Sequence, residues 1–92
     1  MLFRSAETHT LWADEVLAGD RISVGTVGDA IIEQSPTEKH VLDSASWLLV
    51  DRVMVGDDGY TDIMVELPNG VPTEFDIPSA ERVTVQREGD SE

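Results

Sequence analysis

Histidine occurs twice in this sequence, at His9 and His40, and cysteine is absent. Without cysteine there is no thiolate nucleophile, no zinc–thiolate site and no disulfide. His40, Asp43 and either Ser44 or Ser46 supply the residue types of an acyl-transfer triad. No nucleophile-elbow motif surrounds those serines, and a loop histidine is far more often just solvated. Asp57, Asp58 and Asp62 gather around Gly59. A calcium loop needs an Asp-x-Asp-x-Asp-Gly series closed by a distal Glu, and this spacing lacks it. The cluster reads as an acidic turn beside a strand. Gly25-Thr26-Val27-Gly28 is glycine-rich, but it has neither Gly-x-Gly-x-x-Gly nor the Lys-Ser/Thr of a phosphate loop. The chain therefore reads as a non-enzyme, with no cofactor and no metal.

Charge narrows the partners. Nineteen acidic residues stand against six basic ones, for a net charge of −13. Contact with a nucleic-acid backbone requires clustered Lys and Arg, so direct nucleic-acid binding is not expected. Anionic membranes are disfavoured on the same ground. A basic protein partner would be attracted, mainly through its association rate. The simplest use of the charge is solubility. No apolar run is long enough for a signal peptide or a membrane span, so the expected location is the cytoplasm.

The elements follow from alternation and turn chemistry, and they are densest between Trp47 and Val85. Ile63-Met64-Val65-Glu66-Leu67 and Thr73-Glu74-Phe75-Asp76-Ile77 each alternate with the period of a half-buried strand. Asn69-Gly70 between them suits a type I′ turn, although Pro68 and Pro72 mark strand ends and allow a wider loop. Asp57-Asp58-Gly59 separates Trp47–Val55 from Tyr60–Leu67, and Pro78-Ser79-Ala80 leads into the alternating Arg82–Gln86. Upstream, residues 1–8 suit an edge strand or a loose end. Residues 13–18 suit a short helical turn stopped by Gly19, with Leu11, Trp12, Val16 and Leu17 packing it on the sheet. Arg21–Val24 reads as a strand and Ala30-Ile31-Ile32-Glu33 as a second short one. Between Gly25 and Ser46 several registers fit. Ninety-two residues make one domain. It is placed at 1–87, with a disordered acidic tail at 88–92. The fold class is all-β, a small antiparallel barrel of about five strands.

Ala13-Asp14-Glu15-Val16-Leu17-Ala18-Gly19-Asp20-Arg21-Ile22 resembles the "ADEL-x-x-GDRI" opening of small β-barrel proteins from actinobacteria and their bacteriophages. The Trp47–Val55 strand resembles their "W-x-x-V-x-x-V" strand, and Val65-Glu66-Leu67-Pro68-Asn69-Gly70 resembles their "V-x-x-x-DG" hairpin. The resemblance extends over Phe75–Val85 and omits Gly25–Ser46. It implies an SH3-like barrel and supplies no activity. The "GDRI" turn and Thr37-Glu38-Lys39-His40 also resemble self-splicing Hint domains. The N-terminal cysteine and the C-terminal His-Asn pair of that family are missing, so splicing is set aside.

These readings make the chain a non-enzymatic protein–protein interaction module, an accessory protein of an actinobacterium or a phage acting on a host protein. Two alternatives belong to other classes. One is an acidic mimic of nucleic acid that blocks a basic groove, and the other is a subunit of a homo-oligomer or virion joined through strand edges. Candidate binding residues are Asp51, Glu66, Glu74 and Asp76, which alternation allows on one outer sheet face. Leu48 and Met54, opposite in parity to Trp47 and Val55, are the apolar candidates.

Overall fold

The computed structural model describes residues 6–34, 42 and 46–88. The strands are β1 (Ala6–Trp12), β2 (Arg21–Ser23), β3 (Trp47–Val55), β4 (Tyr60–Glu66), β5 (Pro72–Pro78) and β6 (Arg82–Glu88). A 3₁₀ turn at Ala13–Glu15 follows β1, and an α-helix, α1 (Val24–Gln34), follows β2. The strands form one antiparallel sheet in the order β1-β6-β2-β3-β4-β5. The all-β class expected from alternation holds, and so does the short helical turn after residue 12. The sheet is open and six-stranded, where a barrel of about five strands was expected: β1 and β5 are its edges, and no ladder joins them among the described residues. No described helix is long and apolar enough to cross a membrane.

One face of the sheet carries the core. Leu48, Val50, Ile63, Val65, Phe75, Ile77, Val83 and Val85 are buried on it, together with Ile22. Val27, Ile31 and Leu42 are buried in the same cluster, and α1 packs over β5, β2 and β6. The helix replaces the short strand expected at Ala30–Glu33. Val24, Val27, Gly28 and Ile31 recur at helical spacing, so one stripe is covered by the sheet. That burial outweighs both the local β-branched run and the helix cost of Gly25 and Gly28. Residues 35–41 and 43–45, including the expected polar loop, His40 and Asp43, lie outside the described residues.

The hairpin between β4 and β5 shows how a turn sets a register. Gly70 N–H donates to the Leu67 carbonyl at 2.8 Å, and Leu67 N–H donates to the Val71 carbonyl at 3.0 Å. Gly70 has φ +83°, and no described non-glycine residue has positive φ. Asn69 therefore does not adopt the type I′ conformation expected of it. The loop is three residues long, a turn through Pro68 and Asn69 closed by a left-handed glycine. The prolines flanking the turn widened it as their chemistry suggested.

Near the middle of the sheet, Asp20 is 3% exposed and precedes β2. Arg87 Nε donates to its Oδ1 and Nη2 to its Oδ2, both at 2.8 Å, while Leu17 N–H reaches Oδ2 at 2.9 Å. Val50 N–H donates to the Asp20 carbonyl at 2.8 Å. The residue thus ties β6, β3 and the loop before β2 together. Trp12 and Leu17 do not pack inward as expected. Trp12 is 44% exposed, with the Arg82 guanidinium 4.7 Å from its ring centroid, and Leu17 is exposed. Glu88 pairs with Ala6 at the end of β6, so the expected tail boundary moves past it; residues 89–92 lie outside the description.

Candidate functional site

The site is built by the phase of the β4–β5 ladder. Asp76 N–H donates to Gln34 Oε1 at 3.0 Å, and Gln34 Nε2 donates to the Asp76 carbonyl at 2.8 Å. The backbone of Asp76 therefore points away from β4, toward the sheet edge. Register without a bulge then makes Asp62↔Asp76, Met64↔Glu74, Glu66↔Pro72 and Tyr60↔Pro78 the non-hydrogen-bonded pairs. Both prolines fall where a missing N–H breaks no ladder bond. Side chains in such pairs stand closest together. Asp62 is thereby pressed against Asp76, with Glu74 on the diagonal.

Asp62 cannot escape this crowd. It is partly buried, and its Oδ1 is cut off from solvent with no hydrogen-bond partner. Burial, hydrogen bonds to the Glu74 and Asp76 carboxylates open only to a protonated acid, and the charges of those two groups push the Asp62 pKa up to about 7. Arg52 offsets one member of this acid trio, with its Nη2 3.3 Å from Glu74 Oε2 in an exposed pair.

Beside the trio, Met54, Val55, Gly56, Asp58, Tyr60, Asp62 and Asp76 line an open cleft of about 500 Å³. The β3–β4 turn shapes its end: Gly56 N–H donates to the Tyr60 carbonyl at 2.9 Å, and Tyr60 N–H donates to Asp58 Oδ1 at 3.1 Å. Met54, Val55 and Tyr60 are all exposed. The cleft thus offers apolar surface and carboxylates together. No group of three or more His, Asp or Glu residues among the described residues is arranged to hold a metal ion.

Glu66, Glu74 and Asp76 share the outer face and are exposed, and Asp51 is exposed on β3. Met54 is 55% exposed and opens on the cleft. Leu48 is 2% exposed and belongs to the core, so it is withdrawn as a docking residue. The cause is a bulge between Val50 and Arg52. It inserts one residue into β3 and reverses the parity, so Leu48 faces inward and Met54 outward. Sequence reasoning assigned no binding role to Asp62 or Tyr60. The available signal was that Asp62 interrupts β4 with the parity of Met64 and Glu66.

No family model matches the chain, and no match to it was found among curated proteins or solved structures.

Proposed function

We propose that the chain is a non-enzymatic interaction protein that binds a basic surface of another protein through the outer face of β3, β4 and β5. The observation that supports this is the make-up of that face. It carries Asp62, Glu66, Glu74 and Asp76, and these strands supply a single cation, Arg52, already turned to Glu74. Exposed Leu49, Met54 and Tyr60 stand among the carboxylates. Charge of one sign steers a basic partner, and apolar surface beside it holds the partner once docked. The cysteine-free composition fits action in the cytoplasm. The motif resemblance to actinobacterial and phage barrel proteins agrees with a small accessory factor.

A mimic of nucleic acid is the narrower form of this reading, in which the partner's basic surface is a nucleic-acid groove. Phosphate mimicry requires only an array of carboxylates. The apolar side chains interleaved here favour a site that reads protein side chains. Self-assembly through β5 is opposed by its edge: Pro72 and Pro78 lack N–H groups, and Gln34 occupies the backbone of Asp76.

The test is a titration of isotope-labelled protein with a deca-arginine peptide at low and high salt, followed by amide shifts. Shifts confined to β3–β5 are expected. They should weaken at least tenfold at high salt and vanish in a Glu74→Lys, Asp76→Lys variant. Shifts spread over every acidic surface, or unchanged in that variant, would overturn the proposal.

A further inference from the structure

We propose that the cleft between the β3–β4 turn and β5 receives a single arginine side chain of the protein partner, with the aliphatic stem against Met54 and Tyr60 and the guanidinium against Asp62 and Asp76. The inference rests on the interaction reading above and specifies which part of the face recognises which side chain.

Three features of the cleft converge on that occupant. The cleft, at about 500 Å³, has room for one long side chain and is open to a partner. Its walls divide as an arginine divides, with Met54, Val55 and Tyr60 for a stem and Asp58, Asp62 and Asp76 for a head. One oxygen of the Asp62 carboxylate, Oδ1, lacks a donor and is sealed from solvent, so a guanidinium with five N–H groups in a planar fork would satisfy it as that carboxylate turns toward the cleft. Arginine suits the place better than lysine. Its weakly hydrated, planar head spans two neighbouring carboxylates and stacks on a tyrosine ring.

The groups that face Asp62 decide how binding responds to pH. β5 contributes Glu74 and Asp76, the turn contributes Asp58, and β4 contributes Tyr60. β3 contributes Arg52, which is engaged with Glu74. From α1, uncharged Gln34 lies in the adjoining hollow with Asp62, Glu74 and Asp76. Of these groups only Arg52 is positive, so the free cleft retains a proton near neutrality. An arriving guanidinium replaces that proton, which leaves to solvent. Arginine stays charged throughout, so binding must strengthen as pH rises. With Asp62 at about 7 in the free protein and ionised in the complex, linkage gives about tenfold tighter binding at pH 8 than at pH 6.

The experiment titrates isotope-labelled protein with acetylated, amidated Gly-Gly-Arg-Gly-Gly, with matched peptides carrying citrulline or lysine in the central place, at pH 6 and pH 8. The expected result is arginine-dependent shifts at Met54, Gly56, Tyr60 and Asp62, weaker ones with lysine and none with citrulline. The tenfold pH effect should disappear in Asp62→Asn, a surface-facing change that relieves repulsion and leaves the fold intact. Equal shifts with citrulline, or pH dependence that persists in Asp62→Asn, would overturn the inference. If deca-arginine binds β3–β5 while the single-arginine peptide leaves the cleft unmoved, the cleft assignment fails and the broader reading stands. If neither binds, both fail.

Discussion

Asp20 and Asp62 are both drawn out of water, one ahead of β2 and the other in β4, yet they are driven in opposite directions. Burial alone would raise the Asp20 pKa. Two hydrogen bonds from Arg87, one from Leu17 N–H and the guanidinium charge reverse that and hold it below the usual aspartate value. Arg87 is correspondingly raised, chiefly by its hydrogen bonds to Asp20. Asp62 is less deeply buried and meets two carboxylates in place of a guanidinium, and its pKa rises to about 7. A buried acid is a structural tie when its partners are donors, and a source of strain when its partners are acids. The first aspartate is complete within the fold. The second is complete only when something positive arrives, which is why the binding proposal is placed there.

The largest effect should come from breaking the completed pair. Arg87→Met leaves Asp20 buried without its counter-charge, and it should destabilise the protein by about 3 kcal/mol at pH 7. The pH dependence fixes the mechanism. The folded-state pKa of Asp20 is depressed, so its stabilisation is present above the unfolded value near 3.8 and is lost as pH falls through the folded value. The deficit of Arg87→Met relative to the parent should therefore shrink below about pH 4. Urea unfolding at pH 7 and pH 3.5 measures both. A loss under 1 kcal/mol, or one indifferent to pH, would show that the pair is not a tie.

The complementary change should act with the opposite sign. Asp62→Asn removes an acid that the folded state resists ionising, and it should stabilise the protein at pH 8 by of order 1 kcal/mol after solvent screening. The folded pKa lies above the unfolded one, so the parent's penalty is absent below pH 3.8, grows as pH rises and is complete above about 7. The gain in Asp62→Asn must follow the same course. A variant equally stabilised at pH 4 and pH 8 would point to packing and not to charge.

Much of this contrast was legible in the residues, up to the point where register enters. Alternation located β4, β5 and β6, and the parity of Glu66, Glu74 and Asp76 placed them on the outer face. Alternation failed at β3 because the bulge at Val50–Arg52 has no mark in the sequence, so Leu48 and Met54 looked equivalent. It failed at α1 because a helix with two early glycines is held by the core it covers, a tertiary effect. The acid trio depended on one detail of a turn. A two-residue loop at Asn69-Gly70 would pair Asp62 with Ile77. The three-residue loop pairs it with Asp76. Pro68 hinted at the wider loop, but the consequence for Asp62 appears only once the ladder is laid out. The Asp20–Arg87 tie spans 67 residues and carried no local signal at all.

The smallest expected effect tests whether the strain at Asp62 is imposed by the edge of the sheet. Gln34 holds the backbone of Asp76 by two hydrogen bonds and acts as a surrogate for the neighbour that an edge strand lacks. Gln34→Ala should cost roughly 0.5 kcal/mol or less, because water can take over exposed backbone groups. Its informative consequence is elsewhere. Once released, Asp76 can swing its carboxylate away from Asp62, and the pressure that keeps Asp62 protonated falls. Carboxyl carbon shifts across a pH titration should show Asp62 moving toward the ordinary aspartate range, with Asp20 unchanged ahead of β2. If Asp62 still titrates near 7 in Gln34→Ala, the ladder alone enforces the crowding, and the helix contributes only a cap to the edge.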